Sequence, residues 1–447
     1  MEEKLFSELR QELEKIAIVD THEHFILEEE RLDLVLDMFY LFSHYASSDL
    51  ISAGMPQSVL EEIRCSNIPL DKKWEKFWPY WLKIKNTAYS KNLMIIAKDI
   101  FNIENINDRT YQLLSDRIAS SNKKGWYNQV LRNKANIENC IINYLGRGKI
   151  YASPSGIEDA LASIDEKLDM KIPALGLDML RPVGCFDGLI SIRSLKHIRR
   201  LEKDYNININ TFNDLIKILD LSFQERIKEG IVGVKTVLAY NRIIRYERTT
   251  QYQAEEVFNR IFTNLGEGIS WQEAKPLQDF LMHQVIHRAL ETGLPIQIHT
   301  GLQEGNGNII TNSNPTNLVN LFIEYPRAIF DIFHASYPYT GELTAIVKNF
   351  PNVYANLCWV YIISPYAARR ILSEWIETLP SNKIFAFGGD YLFVEGAYAH
   401  AKIARDNIAR VLTEKIEEGY FSSTNAVDFA IKILRDNPLV IYKLGSN

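Results

Sequence analysis

The stretch IVDTHEHF, residues 18–25, decides how the rest of the chain is read. A short apolar run leads into it, and two histidines one residue apart close it. Side chains of a strand alternate between its faces, so His22 and His24 project from the same face at the strand's end. Asp20 and Glu23 sit beside them. Alone, such a doublet suits a hydrogen-bonded core as well as a metal. Its meaning depends on what the later strands end with.

Seven further apolar or β-branched runs end in polar or small residues. They are IENCIINY (137–144), KIPALGLDML (171–180), IVGVKTVLAY (231–240), LPIQIHTG (294–301), AIFDIFHAS (328–336), NVYANLC (352–358) and KIFAFGGDY (383–391). Helical patterns lie between most of them, such as PLQDFLMHQVIHRALETG (276–293), whose Gly293 suits a helix C-cap. This alternation predicts an α/β fold with a parallel sheet and helices outside it. Eight units fit a distorted, closed (β/α)8 TIM barrel, with an open doubly wound sheet as the alternative. The expectation is one domain over residues 1–447, a helical insertion at about 25–125 after the first strand, and closing helices over 402–447. Within the insertion, Trp74, Trp78 and Trp81 follow helical spacing around Pro79. Their rings form either a small helical core or a lid over the barrel mouth.

The predicted strand ends carry an ordered series: His22 and His24 on the first, Lys235 on the fourth, His299 on the fifth, His334 on the sixth and Asp390 on the eighth. In a (β/α)8 barrel these ends converge on one mouth, where the active site lies. Five nitrogen donors and a carboxylate suit Zn²⁺, with Mn²⁺ as the alternative. The remaining histidines read as packing or surface groups. His283 and His287 share a helix face but lack the glutamate of an HExxH motif, and His44, His197 and His400 lie outside the series. GLQEGNGN (301–308) lacks the lysine and Ser/Thr of a phosphate loop and reads as a mouth loop.

Composition narrows the partners. The chain has 447 residues, 46% hydrophobic and 24% charged, as a soluble globular protein does. A formal net charge of −6 and a pI near 5.9 offer no basic surface for nucleic acid or anionic lipid. Residues 1–20 are broken by charge and lack the apolar core of a secretory signal. Cys65, Cys140, Cys185 and Cys358 form no CxxC pair and suit reduced thiols, with Cys358 read as packing. A cytoplasmic enzyme acting on a small molecule is expected.

The motifs KNTAY (85–89), VLRNKANIENCI (130–141), GVKTVLAYNR (233–242), IHTG (298–301), FHAS (333–336), FGGD (387–390) and NPLVIYKL (437–444) resemble the amidohydrolase superfamily. The resemblance is to its amidohydrolase-2 branch, which includes uronate isomerase, aminocarboxymuconate-type decarboxylases and FluG-like proteins, the last being most similar. It implies His22, His24, His299 and Asp390 as ligands of one or two divalent ions, with His334 either a ligand in a binuclear site or a group polarising the substrate. Lys235 is a bridging carbamate, a free ammonium holding a substrate anion, or half of a structural ion pair. A charged ammonium has no lone pair to give a metal. The implied chemistry is metal-activated water attacking an amide, lactone or similar bond, with Asp390 as proton carrier. A uronate-type isomerase or a decarboxylase is the alternative, and a non-catalytic binding relative is a third reading. Arg242, Tyr240 and Trp359 are candidates for holding an acidic substrate, Arg242 because arginine suits carboxylates; each has packing as its other reading. Tyr361 and Tyr391 carry the same two readings. Family habit implies a homo-oligomer.

Overall fold

Eight parallel strands run in sequence order around the sheet: β1 (Ile18–Glu23), β2 (Ile137–Ile142), β3 (Leu180–Cys185), β4 (Gly233–Thr236), β5 (Ile296–Ile298), β6 (Phe330–Ile332), β7 (Val353–Asn356) and β8 (Ile384–Phe385). The structure is a computed structural model that describes residues 2–144, 172, 175–264, 266 and 268–445. Closure between the first and last strands uses the chain just beyond β8. Thr21 N–H donates to Phe387 O (3.2 Å), Asp390 N–H to His22 O (2.8 Å) and His24 N–H to Tyr391 O (2.9 Å). The result is the distorted (β/α)8 barrel.

One strand lies away from its expected place. KIPALGLDML suggested β3 at 171–180, but the strand is LRPVGC, Leu180–Cys185, and residues 176–179 form bends and turns. Residues 171, 173 and 174 of that stretch lie outside the described residues. Pairing sets the position: Cys140 registers with Leu180, and Val183 with Gly233. Pro182 and Gly184 weaken the local strand signal, because proline donates no ladder hydrogen bond and glycine packs nothing.

Inside the barrel, Val19, Ile141, Val183 and Phe385 pack with Tyr442 from the C-terminal segment. Nearby, Gln297 Nε2 donates to Thr21 O (3.0 Å) and to Tyr442 Oη (2.9 Å), and Asn356 Nδ2 donates to both Asp331 oxygens (3.1 and 3.0 Å). These interior groups are cross-linked by hydrogen bonds, which gives the site above them a stiff floor.

Between β1 and β2 the chain forms helices, among them Tyr45–Ser52, Gln57–Arg64, Leu70–Ile84 and Ala88–Asp99. Trp74 and Trp81 are buried there with Phe39, Phe42 and Phe77, so these rings form a helical core. Pro79 falls inside Leu70–Ile84, and Trp78 is half-buried. The helix Val394–Glu417 packs against Ala88–Asp99. A buried ion pair, Arg31 Nη2 to Glu395 Oε1 at 2.9 Å, ties the insertion to Val394–Glu417. Among the described residues, no helix is long and apolar enough to cross a membrane.

Candidate metal centre

β1 delivers His22 within the strand and His24 one residue past it. Their Nε2 atoms lie 3.1 Å apart and face Asp390 Oδ1 at 3.6 and 3.3 Å. A tetrahedral Zn²⁺ with bonds of about 2.0–2.1 Å spans ligand-to-ligand edges of roughly 3.3–3.4 Å. The observed triangle fits that size. His24 Nδ1 donates to Asn143 O (3.0 Å), which turns its Nε2 lone pair toward the triangle. His22 Nδ1 is buried with no hydrogen-bond partner among the described residues.

His299 and His334 make a second argument. His299 Nε2 contacts Leu302 O (2.9 Å) and His334 Nδ1 contacts Cys358 O (3.1 Å). A carbonyl accepts only from N–H, so the network assigns the proton of each neutral ring to that nitrogen. The remaining nitrogens, His299 Nδ1 and His334 Nε2, then face each other at 2.9 Å with a lone pair each. Burial lowers both rings' pKa values, that of His334 to about 4, which disfavours supplying the missing proton. Two lone pairs opposed at hydrogen-bond distance suit a cation. Burial likewise holds His22 well below the usual imidazole range, so it is neutral, as a ligand must be.

Burial opposes a charge on Asp390, but its contact with His24 outweighs that and holds its carboxyl well below the usual range. His334 and the buried Cys358 complete a further His–Cys–Asp group around Asp390. Cys358 therefore borders the site, while burial pushes its thiol pKa up and keeps it protonated. Three of these residues have left-handed backbones: His334 (φ 63°), Trp359 (φ 69°) and Asp390 (φ 57°). Each such residue costs about 1–3 kcal/mol, and such strain clusters at functional sites.

Lys235 Nζ is buried, has no hydrogen-bond partner among the described residues, and sits 3.6 Å from the centre of the Phe333 ring. Burial lowers its pKa to about 8. The structure gives it no ion pair among the described residues, which leaves the carbamate and the free ammonium. Tyr240 lies with its ring 4.8 Å from that of His299, and Trp359 stands edge-on to His334 at 5.2 Å. Arg242 is placed elsewhere. Its guanidinium is buried and committed to Asp279 (2.5 Å) and Gln278 (3.0 Å), because the chain after β4 turns through Leu238–Tyr240 and carries residue 242 to the helix Trp271–Thr292. Arg245 is exposed and pairs with Glu247.

The insertion contributes residues that the strand-end pattern does not contain. Tyr45 Oη donates to Asp390 O (2.6 Å), and its ring stacks on Trp359 (4.7 Å) and Tyr89 (5.1 Å). His44 is buried beside Tyr391, and burial lowers its pKa to about 3. His400 supports the centre from behind, its Nδ1 contacting Gly389 O (3.0 Å). His283 and His287 flank the Tyr325 hydroxyl away from the strand-end cluster. No signal in the sequence ties Tyr45 or His44 to the strand ends.

The glycine of IHTG has a definite task. Gly301 has φ +74°, and a Cβ there would meet Ser336 C and Tyr337 O, both at 2.4 Å. These are backbone atoms. Gly301→Ala is expected to cost about 2–3 kcal/mol or more in urea unfolding and to disturb the turn that holds His299. Unchanged stability would contradict the close approach.

Residues 267–444 match the family model described as amidohydrolase. Protein fluG of Emericella nidulans is 28% identical over 252 residues, which are 53% of this chain and 29% of that protein. The chain thus spans less than a third of that relative's length. Uronate isomerase from Thermotoga maritima has a similar fold, with a TM-score of 0.75 at 14% identity, covering 98% of this chain and 97% of that one. Glucuronate isomerase from Caulobacter crescentus gives 0.71 at 16% identity, covering 100% and 95%.

Proposed function

We propose that this chain, a member of the amidohydrolase superfamily, is a metal-dependent hydrolase of a small carboxylated molecule, cleaving an amide, lactone or similar C–N or C–O bond. The convergence of His22 Nε2, His24 Nε2 and Asp390 Oδ1 carries this reading. These three groups would hold the cation, with His299 and His334 beside them for a second ion. Zn²⁺ suits the nitrogen-rich set best, and Mn²⁺ is the alternative. When bound, a divalent cation supplies Lewis acidity and lowers the pKa of a coordinated water to about 7.

The chain's own groups then have separate tasks. Asp390 Oδ1 faces the two β1 imidazoles, while Oδ2 turns toward His334 at 3.9 Å. Oδ2 takes the proton of the attacking water and passes it to the leaving nitrogen or oxygen. Lys235, uncommitted to any hydrogen bond among the described residues, faces the negative charge that grows on the substrate carbonyl oxygen. Tyr240 and Trp359 wall the space and limit water around the reacting bond.

A second reading has one observation in its favour, the likeness of the whole barrel to two uronate isomerases. On that reading the same carboxylate would move a proton between adjacent carbons of a uronic acid, and a decarboxylase would release CO₂ instead. The zinc- or manganese-loaded protein should be assayed against carboxylated amides, lactones and uronic acids, following hydrolysis, isomerisation and CO₂ release. Hydrolysis that is lost on chelation is the expected result. Turnover by isomerisation or CO₂ release alone would overturn the hydrolytic reading.

A further inference from the structure

Arg64 ends the helix Gln57–Arg64 of the insertion and is only 5% exposed. A buried guanidinium normally spends its five donors on carboxylates or carbonyls. Among the described residues Arg64 makes one hydrogen bond, Nη2 to Ser43 O at 3.0 Å, and its buried Nε has no partner. Burial lowers its pKa to about 10, and the nearby charges of Glu304 and Glu61 only partly offset this. Neither carboxylate forms an ion pair with it among the described residues, although Glu61 lies one turn earlier on the same helix.

Glu304 stands in the loop after β5. Its backbone N–H donates to Tyr240 Oη (2.9 Å), and among the described residues its carboxylate accepts only a long bond from Ser48 Oγ (3.4 Å). The loop is clasped to the insertion, since Asn306 Nδ2 donates to Ser48 O (3.2 Å) and Ser52 Oγ (3.1 Å). Burial pushes the Glu304 carboxyl up to about 7, with Arg64, Asp390 and His24 among the charges it senses.

One short segment, residues 43–48, joins these groups to the metal centre. Ser43 O holds Arg64, Tyr45 Oη holds the Asp390 backbone, and Ser48 Oγ holds Glu304. Tyr45 and Ser48 lie one turn apart on the helix Tyr45–Ser52 and so share a face. Glu304 senses the charges of Arg64, Asp390 and His24, so an under-used buried cation and an under-used carboxylate lie together around residues 43–48, beside the metal centre.

We propose that Arg64 and Glu304 are a substrate-recognition pair, Arg64 taking a carboxylate and Glu304 the hydroxyl or ammonium group on the carbon next to it. The substrate class is then a 2-hydroxy or 2-amino acid, or a larger molecule ending in one. A carboxylate supplies the acceptors that Arg64 Nε lacks, in the two-pronged geometry a guanidinium favours. A donor on the adjacent carbon supplies what Glu304 lacks. The pair deepens the hydrolase reading, because it rests on the barrel mouth being the substrate site.

The test is binding of small probes to the zinc-loaded full chain at pH 8, where Glu304 is ionised, followed by ligand-observed NMR. Lactate, alanine, propionate and lactamide separate the two contacts. Lactate and alanine should bind at least tenfold more tightly than lactamide and about threefold or more more tightly than propionate. Arg64→Met should abolish the preference for lactate over lactamide, and Arg64→Lys should restore part of it. Glu304→Gln should remove the advantage of alanine over propionate and leave the preference for carboxylate over amide intact. Arg64→Met that binds zinc and discriminates as wild type does would overturn the proposal, since the metal alone would then hold the carboxylate. Should Arg64→Met not fold, Arg64→Lys and Glu304→Gln decide, and unchanged selectivity in both would overturn it. If the probes behave as expected while the chain hydrolyses nothing, the reaction class fails and the recognition pair stands.

Discussion

Asp390→Asn is expected to lower kcat by about 10²–10⁴-fold on whichever substrate the reaction panel identifies. His22, His24 and His334 converge on this carboxylate, and it is held ionised there. Asparagine keeps the shape and one oxygen but cannot accept and return a proton at neutral pH. The backbone at 390 is already left-handed, a conformation that asparagine tolerates, so the variant should fold. Metal content and kcat together separate the two roles of the residue. Zinc retained with turnover lost indicates proton transfer; zinc lost with turnover lost indicates ligation. Near-wild-type kcat would remove Asp390 from the chemistry.

The largest effect on stability is expected at Glu395. Glu395→Ala leaves Arg31 buried without its carboxylate, and removing one partner of a buried pair costs about 3–5 kcal/mol. Arg31 is almost fully buried, and its other hydrogen bonds go to Ser121 O (3.2 Å), Ser121 Oγ (3.0 Å) and Asn122 Oδ1 (3.1 Å), none of them charged. Burial opposes its charge, and Glu395 more than offsets that, raising its pKa above the ordinary value. Trp126 Nε1 also donates to Glu395 Oε1 (2.7 Å) and would lose its acceptor. Urea unfolding should show the loss, and Arg31→Met in the Glu395→Leu background should recover part of it by removing the stranded charge. A Glu395→Ala variant within 1 kcal/mol of wild type would contradict this. Because the pair ties the insertion to Val394–Glu417, milder variants such as Glu395→Gln should raise KM more than they lower kcat.

The parts of the site legible in the sequence were those that strand periodicity delivers. His22, His24, Lys235, His299, His334 and Asp390 each follow an apolar run, and parallel strands of one barrel bring such positions to one end without further information. Arg242 also follows such a run, yet local spacing could not show that a tight turn hands it to Asp279, 37 residues later. β3 slid past its apolar run because its register is fixed by both neighbouring strands, a constraint that no single segment carries. Arg64 and Tyr45 were not legible at all, and of Glu304 only its place in a mouth loop was. Arg64 and Tyr45 sit in helices whose spacing reports only amphipathicity, and Glu304 sits in a glycine-rich loop; their meeting beside the metal centre is a tertiary result. Cys358 read as packing and is buried, but its neighbours His334 and Asp390 arrive from the ends of the two strands beside β7.

Metal content is the most direct test of the whole account. The full chain should be purified, loaded with Zn²⁺ or Mn²⁺, dialysed and analysed for bound metal, alongside a His22→Ala/His24→Ala variant shown to be folded. The account predicts at least one tightly held ion per wild-type chain and near-complete loss in the variant. A wild-type chain that keeps no divalent ion, or a folded variant that keeps its full complement, would contradict the assignment of the centre to these side chains.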